Sequence, residues 1–305
     1  MSEIRSLFIT GASGFVGRRV LHHLDPARYD RVSLLTRSEI SLPPHLSGGV
    51  TVRQIRSALD RPERYASEID PSTAILHLAA RVGRAKVADF MRDNVEGTRI
   101  IVRAAEEGGA AGLVNVSSIA AKFPATAFYP YADSKRQAEE IVAKCRRPWI
   151  TVRPTIVLGE GSPIWDKFRQ LARGPLPVVP GTPSTRIQPI HVDDLATVLL
   201  DILDRGGFEE AVCELGGAEP VTMEEFMKRA HHRLTGRRGV AIPVPLALGM
   251  PLLRAFERIS PVPLPVTEGQ LSSFLYDGVV EPNPLQERYA DRLRGVDEIL
   301  EDLTS

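Results

Sequence analysis

Apolar runs and helical repeats alternate along the first half of this 305-residue chain. Runs of strand type occupy residues 6–10, 31–36, 50–55, 74–78, 112–116 and 149–153. Between them, apolar residues recur every three or four positions, notably in residues 16–24, 95–107 and 135–144. Strands that alternate with helices form βαβ units around a buried parallel sheet. We therefore predict an α/β fold, a Rossmann-type doubly wound parallel sheet with helices on both faces.

The first strand enters its helix through a glycine-rich turn, Thr10-Gly11-Ala12-Ser13-Gly14-Phe15-Val16-Gly17. Gly11 permits the tight turn, Gly14 lets the backbone approach a pyrophosphate, and Gly17 lets helix and strand pack closely. The helix N-terminus adds unpaired N–H groups and the positive end of its dipole. An isolated glycine triplet also fits an ordinary turn, but the flanking strand and helix favour a phosphate site. The predicted cofactor contacts are Gly11, Ser13, Gly14, Phe15, Val16 and Gly17.

A second group of residues, Ser118, Tyr131 and Lys135, lies later in the chain and can support proton transfer. Tyr131 and Lys135 are four positions apart, so they share one face of a helix. The ammonium can stabilise a tyrosinate, whose ordinary pKa is about 10, and so make Tyr131 a general acid near neutral pH. Ser117 and Ser118 both follow the strand-type run that ends at residue 116, and either could hydrogen-bond the substrate oxygen. The alternative is a surface tyrosine beside a solvated lysine.

An ordered set of motifs connects these features over residues 4 to about 220. The motifs are Thr10-Gly11-x-x-Gly14-x-x-Gly17, His77-Leu78-Ala79-Ala80, Asn94-Val95-x-Gly97-Thr98, Ser117-Ser118, Tyr131-x-x-Ser134-Lys135, Arg153-Pro154 and His191-Val192-Asp193-Asp194-Leu195-Ala196. In this order the chain resembles the extended short-chain dehydrogenase/reductases. Within that superfamily it is similar to the branch of nucleotide-sugar epimerases, hydroxysteroid dehydrogenases and dihydroflavonol reductases.

The resemblance implies an NAD(P)-dependent dehydrogenase, reductase or epimerase with Ser118, Tyr131 and Lys135 as its catalytic residues. It also implies that Lys135 holds the nicotinamide ribose. Asn94 would support this lysine, although it also fits a helix cap. Further cofactor contacts are implied for Leu78, Ala79, Ala80 and Asn94.

Arg37 determines the predicted cofactor preference. An NAD enzyme usually places an acidic residue about 20 residues beyond the glycine turn, to bind the ribose hydroxyls. This chain has Thr36-Arg37-Ser38 there, and Arg37 can bind a 2′-phosphate. We therefore expect NADP(H) to be preferred and NAD(H) to be possible. The alternative is that Arg37 stacks on the adenine of either cofactor.

The strand and helix alternation weakens after Pro154, and residues 159–183 are rich in glycine and proline. This change predicts a smaller C-terminal substrate-binding portion, with residues 178–188 and 246–274 lining its pocket. The dinucleotide-binding domain is predicted to comprise residues 1–158 and 187–205, and the substrate-binding portion residues 159–186 and 206–305.

Composition favours a small-molecule partner. The chain has 38 basic and 38 acidic residues, so no net charge attracts nucleic acid or an anionic membrane. The two cysteines and seven histidines show no metal-ligand spacing, and we expect no metal. No stretch predicts a transmembrane helix, and the N-terminus runs directly into the first strand. We expect a cytoplasmic protein and a possible homodimer.

Three functions fit the sequence. The first is an oxidoreductase that transfers hydride between nicotinamide and a hydrophobic or alicyclic carbonyl or secondary alcohol. The second is a nucleotide-sugar epimerase or dehydratase that keeps NAD tightly bound. The third is a nucleotide-binding scaffold that resembles the accessory subunit of respiratory complex I. The apolar, proline-rich tail, residues 242–265 and 270–275, resembles that branch more than it resembles the sugar epimerases.

Overall fold

The computed structural model describes residues 4–124, 129–244 and 276–305. Its central sheet has seven strands in the order β11-β6-β5-β4-β1-β2-β3. These strands are β1 (Ser6–Thr10), β2 (Arg31–Thr36), β3 (Thr51–Arg56), β4 (Thr73–His77), β5 (Gly112–Val116), β6 (Trp149–Pro154) and β11 (Ala211–Leu215). The short strands between β6 and β11 are β7 (Val157–Leu158), β8 (Val178–Pro180), β9 (Arg186–Ile187) and β10 (Ile190–His191).

Strands β1 to β6 pair in parallel, so their carboxyl ends lie at one edge of the sheet. Thr10, the last residue of β1, lies beside Leu35 on one side and His77 on the other. The strand order reverses at β1, and such a switch point is where α/β sheets bind their ligands. Every residue of β1, β4 and β5 is buried, as expected of strands covered on both faces. The predicted Rossmann-type sheet is confirmed.

Helices alternate with the strands along the chain. In the described residues they are α1 (Phe15–His23), α2 (Val87–Phe90), α3 (Gly97–Gly108), α4 (Pro130–Val142), α5 (Pro163–Ala172), α6 (Val192–Arg205), α7 (Met223–Thr235), α8 (Pro284–Tyr289) and α9 (Val296–Thr304). A π-helical segment, Met91–Glu96, joins α2 to α3. The helix predicted over residues 95–107 corresponds to α3, and the π-helical segment extends the helical backbone before it to Met91.

The chain divides into two compact units. The first comprises the described residues of Met1–Ser118, Ser134–Arg153 and Val192–Cys213. The second comprises those of Ile119–Asp133, Pro154–His191 and Glu214–Ser305. The first unit contains the sheet core, in which Phe8, Ile75 and Leu113 are fully buried.

The second unit has its own apolar core, built from helices α5, α7 and α9 and three pairs of short strands. Phe168 of α5 meets Phe226 of α7 edge to face, with ring centroids 5.3 Å apart. Ile299 of α9 completes this core. Strand β12 (Val221–Thr222) pairs with β9, and β13 (Ile242–Val244) pairs with β8. Of the predicted pocket-lining segments, residues 178–188 are described, whereas residues 246–274 lie outside the described residues.

Candidate active site

The glycine turn joins β1 to α1 at the switch point of the sheet. Gly11 has a φ of +75°, in the left-handed region that favours glycine. A Cβ atom at Gly11 would lie 2.6 Å from the backbone nitrogen of Ala79, and one at Gly17 would lie 2.7 Å from the Cα of Ala12. Both glycines are therefore required by close backbone packing, which holds the turn against the end of β4.

Gly14 has a different environment from the other two glycines of the turn. Among the described residues, and apart from its own chain neighbours, a Cβ atom there would lie near the carbonyl oxygen of Gly11 alone, at 3.2 Å. Gly14 and Ser13 are exposed, and Gly14 is the N-cap of α1 without any side-chain cap. No acidic residue lies in the first turn, so the N–H groups of Phe15 and Val16 present an uncompensated positive end. This cradle fits a dinucleotide pyrophosphate.

A hydrogen-bonded chain fixes the end of β4 beside the turn. His77 is 2% exposed, and its Nδ1 lies 2.7 Å from the hydroxyl of Thr10. Its Nε2 lies 3.1 Å from the hydroxyl of Thr98, which itself donates to the Asn94 carbonyl oxygen. Burial, with the nearby charge of Lys135, lowers the pKa of His77 to about 3. A neutral imidazole with its proton on Nε2 satisfies every contact, so His77 serves a structural role.

Residues 78–80 follow His77 at the carboxyl edge of the sheet. The backbone N–H of Leu78 donates to the Thr10 carbonyl oxygen at 3.1 Å, and that of Ala79 donates to the Thr10 hydroxyl at 3.2 Å. Leu78, Ala79 and Ala80 are each partly exposed, in contrast to the buried strand before them. The predicted cofactor contacts after β4 are thus fixed against the glycine turn within the first unit.

Asn94 lies in the π-helical segment and is 1% exposed. Its Oδ1 accepts the backbone N–H of Arg81 at 2.6 Å, and its Nδ2 donates to the Arg81 carbonyl oxygen at 3.1 Å and to the Ser134 hydroxyl at 2.9 Å. Asn94 therefore connects the loop after β4 to the residue immediately before Lys135. The π-helical turn orients the Asn94 side chain towards Arg81 and Ser134. Such turns recur at functional sites.

Lys135 is buried on α4, with 7% of its surface exposed. Its Nζ donates to the carbonyl oxygen of Val116, at the end of β5, at 2.8 Å. Burial lowers its pKa from 10.5 to about 8, and the charge of Glu139 opposes that shift. The structure thus places an ammonium at the carboxyl edge of the sheet, on the helix that also carries Tyr131.

Glu139, one helical turn beyond Lys135 on α4, forms a partly buried ion pair with Arg153 of β6. Arg153 Nε donates to Glu139 Oε1 at 2.9 Å, and Nη2 donates to Oε2 at 2.6 Å. Glu139 is 5% exposed. The sequence motifs include Arg153 but give Glu139 no role; the Lys135-x-x-x-Glu139 spacing on one helix face is the signal that could have identified it.

The two candidate serines follow β5. The hydroxyl of Ser117 is buried and makes no hydrogen bond to a described residue, while its backbone N–H donates to the Val152 carbonyl oxygen at 2.7 Å. Ser118 is half-buried. Ser118 is therefore the more accessible of the pair to a ligand at this edge.

Tyr131 lies in an aromatic cluster of the second unit. It packs with Tyr129, their ring centroids 5.6 Å apart, against buried Phe123 and Ala132. Tyr276 stacks on Phe123 at 5.5 Å with an angle of 29° between the rings. Burial raises the pKa of the Tyr129 phenol above its ordinary value. The described side chains of the cluster that packs with Tyr131 are therefore apolar or aromatic.

Arg37 follows β2 and is exposed. In the part of the chain that the structure describes, it makes no ion pair. Its neighbour Thr36 is buried, and the parallel register sets Thr36 opposite Arg56 of β3. Arg56 lies 3.7 Å from Glu39. Arg56 is the last residue of β3 and Arg37 is the first residue after β2, so two arginines lie at the carboxyl ends of adjacent strands.

Metal-binding clusters and membrane-spanning helices are absent from the described residues. Across residues 4–124, 129–244 and 276–305, no three His, Cys, Asp or Glu side chains are arranged to hold a metal ion. In these same ranges no helix has both the length and the apolar character needed to cross a bilayer.

Comparison with known proteins identifies the family. A sequence profile of the NAD-dependent epimerase/dehydratase family matches residues 7–213. The chain belongs to this family. The match covers the glycine turn, residues 78–80, Ser118, Tyr131 and Lys135. The resemblance drawn from the motifs is thereby confirmed, and a nicotinamide dinucleotide is the cofactor class of this family.

Two relatives are reductases. Ceramide reductase of Caulobacter vibrioides is 31% identical over 195 residues, which cover 63% of this chain and 59% of that protein. The 4-hydroxy-2-methyl-3-oxo-4-farnesyl-3,4-dihydroquinoline-1-oxide ketoreductase of Stigmatella aurantiaca is 31% identical over 170 residues, 50% of each chain. The chain therefore spans less than two thirds of the length of these relatives.

The fold also matches solved structures. A short-chain dehydrogenase/reductase superfamily protein from Agrobacterium tumefaciens, with bound NAD, aligns with a TM-score of 0.66. The alignment covers 98% of this chain and 96% of that one at 19% identity. The likeness concerns the fold, and it agrees with the Rossmann-type sheet described above.

Proposed function

We propose that this protein is an NADP(H)-dependent reductase or dehydrogenase of carbonyl and secondary alcohol groups. The observation that carries the proposal is the burial of Lys135 at the carboxyl edge of the sheet, one helical turn after Tyr131 on α4. Burying an ammonium is costly, and a lysine without a chemical role would gain stability by reaching water. A role in proton transfer by the Tyr131 phenol would account for the burial of Lys135.

Each residue of the set has a defined role in this proposal. During reduction, Tyr131 donates its phenolic proton to the carbonyl oxygen. The Lys135 ammonium stabilises the resulting tyrosinate and holds the ribose hydroxyls. The hydrogen bond from Asn94 to Ser134, the residue before Lys135, holds this part of α4 in place. The Ser118 hydroxyl donates a hydrogen bond to the substrate oxygen. Bound NADP(H) supplies or accepts the hydride.

An apolar carbonyl compound is the proposed substrate class. The cluster around Tyr131 contains Phe123, Tyr129 and other apolar groups. The lysine that precedes Phe123, Lys122, is already paired with Glu214 at 2.8 Å, whereas a sugar diphosphate requires cationic contacts. The names of the two relatives above, a ceramide reductase and a farnesyl-quinoline-oxide ketoreductase, also indicate lipophilic substrates.

An epimerase or dehydratase is the second candidate, because the family includes both. Such an enzyme keeps NAD bound and returns the hydride to its substrate, so the nucleotide that copurifies distinguishes the two. Tightly held NAD favours the epimerase, and exchangeable NADPH favours the reductase. The buried Lys135 argues against a pure scaffold, which would not require it.

Replacement of Tyr131 tests the proposal, with Tyr129 as the matched control. Tyr131→Phe removes one oxygen from the aromatic cluster. It should lower kcat about 10²- to 10⁴-fold, because general acid catalysis contributes a factor of that size. NADPH binding should be unchanged. Tyr129→Phe makes the same chemical change in the neighbouring ring, 5.6 Å away, and should retain activity. Equal loss in both variants would remove Tyr131 from the proposed role.

Arg37 tests the cofactor preference. A charge-assisted contact to a 2′-phosphate contributes about 1.5–3 kcal/mol, so Arg37→Ala should weaken NADPH binding at least tenfold and leave NADH binding unchanged. Arg61→Ala, another exposed arginine of the first unit, is the control. Fluorescence titration of both reduced cofactors gives the dissociation constants. Equal wild-type constants for NADPH and NADH would contradict the preference.

A further inference from the structure

The C-terminal ends of α5 and α7 meet at one edge of the second unit. His231 of α7 donates its Nδ1–H to the carbonyl oxygen of Ala172, the last residue of α5, at 2.7 Å. The following segments also adjoin, because the N–H of Ile242 donates to the Pro177 carbonyl oxygen at 2.8 Å and Ile242 pairs with Val178. Residues 173–178 and 237–242 therefore form one continuous surface, which we call the α5–α7 edge.

Exposed apolar side chains are concentrated on the α5–α7 edge. Val240 is 77% exposed, Ile242 45% and Leu176 42%. These are three of the six large apolar side chains that are exposed among the described residues. Leaving them in water forgoes the stabilisation that burial of such side chains provides. Their grouping indicates a surface that contacts an apolar phase.

The same edge carries exposed cations. Arg173, Arg237 and Arg238 are exposed, and none of them forms an ion pair with a residue that the structure describes. By contrast, Arg169 and Arg233 on the adjoining helices each contact a carboxylate, at 2.8 and 3.6 Å. Residues 173–180 and 236–244 contain no Asp or Glu. The edge is therefore locally positive although the whole chain has no net charge.

We propose that the α5–α7 edge docks on the headgroup layer of an anionic lipid bilayer, through Arg173, Leu176, Arg237, Arg238, Val240 and Ile242. Exposed aliphatic side chains interspersed with arginines match an interface where acyl chains lie beneath anionic headgroups. A nucleic acid would offer these aliphatic groups no apolar phase.

The composition of the residues that follow the α5–α7 edge in the sequence agrees with docking on a lipid bilayer. It continues from Val244 into residues 245–275, which lie outside the described residues and form no part of the proposed surface. Of these 31 residues, 15 are Ala, Val, Ile, Leu, Met or Phe and four are charged. The inference goes beyond the proposed function, because docking is independent of turnover and is measured without a substrate.

Vesicle flotation with the full-length protein tests the proposal. The probes are vesicles of phosphatidylglycerol and phosphatidylcholine in equal parts, and vesicles of phosphatidylcholine alone. Each arginine near an anionic surface contributes about a fivefold factor, so R237Q/R238Q should weaken partitioning about 25-fold. Val240→Ser should also weaken it. The matched control, R61Q/R64Q, removes two exposed arginines of the first unit and should have no effect.

Salt and the two double variants distinguish docking on anionic headgroups from unspecific adsorption. Wild-type flotation with the anionic vesicles, its loss in 0.5 M salt, and selective loss in R237Q/R238Q would support the proposal. Absence of wild-type binding would overturn it. So would equal binding to both vesicle types, or an equal effect of R61Q/R64Q. Circular dichroism of every variant establishes that the fold is retained, and unchanged NADPH affinity separates this result from the proposed function.

Discussion

Lys135→Met tests the energetic cost of the buried ammonium. The pKa of Lys135 is lowered from 10.5 to about 8, chiefly by burial. Since one pKa unit corresponds to about 1.4 kcal/mol, the ionised side chain costs the folded state about 3 kcal/mol at pH 7. The hydrogen bond from Nζ to the Val116 carbonyl oxygen, 2.8 Å long, returns about 1 kcal/mol. Lys135→Met should therefore raise the free energy of unfolding by about 2 kcal/mol at pH 7.

The sign of the pH dependence follows from linkage. The folded pKa lies below the unfolded one, so between pH 8 and 10.5 the unfolded chain holds more protons and the wild type gains stability with rising pH. By roughly pH 10 the penalty falls below about 1 kcal/mol. The advantage of Lys135→Met over the wild type should disappear across this window.

Urea denaturation of the wild type and Lys135→Met at pH 7 and pH 10 measures this change. Lys144→Met, which replaces an exposed lysine just beyond α4, is the control for general alkaline effects. Any packing change caused by methionine is the same at both pH values, so the double difference isolates ionisation. A difference between Lys135→Met and the wild type that is equal at both pH values would refute the reasoning.

Two further predictions concern the glycine turn and α6. Gly17→Ala would force a Cβ against the backbone of Ala12, so it should destabilise the fold by at least about 2 kcal/mol and abolish cofactor binding in a titration. Gly48→Ala, where a Cβ would meet no described residue within 4 Å apart from its chain neighbours, should do neither. Arg19 and His23 hold the pKa of Asp193 down to about 2 despite its burial. Asp193→Asn should cost about 1–2 kcal/mol at pH 7 in urea denaturation. That cost should diminish as the pH falls towards 2; a constant difference would contradict the ion pair.

The sequence predicts the sheet well because its signals are local. Strand β1 (Ser6–Thr10) matches its apolar run residue for residue, and β4 differs by one residue at each end. The roles of Gly11 and Gly17 also follow from their spacing, because the tight turn and the close packing are local requirements. The cofactor contacts that the sequence predicts on these elements depend on the same local signals, and they stay predictions.

The interactions that the sequence does not predict join distant residues. Asp193 lies in the first turn of α6, which begins at Val192, and it binds Arg19, 174 residues away in the sequence. The π-helical turn around Asn94 has the same apolar repeat as an α-helix, so periodicity cannot distinguish them. The Asn94 side chain in this turn donates a hydrogen bond to Ser134 of α4. No local sequence pattern predicts such a tertiary contact.

Proton donation by Tyr131, to a substrate that is reduced at the expense of a nicotinamide cofactor, is the step on which the proposed function depends. The direct measurement is mass spectrometry of the product formed from long-chain and alicyclic ketones in the presence of NADPH that carries deuterium at both C4 positions of the nicotinamide. We predict that the product formed by the wild type gains one deuterium at the former carbonyl carbon. Tyr131→Phe, with unchanged NADPH affinity, should form the labelled product about 10²- to 10⁴-fold more slowly. Unlabelled product, or label at the same rate from Tyr131→Phe, would contradict this step.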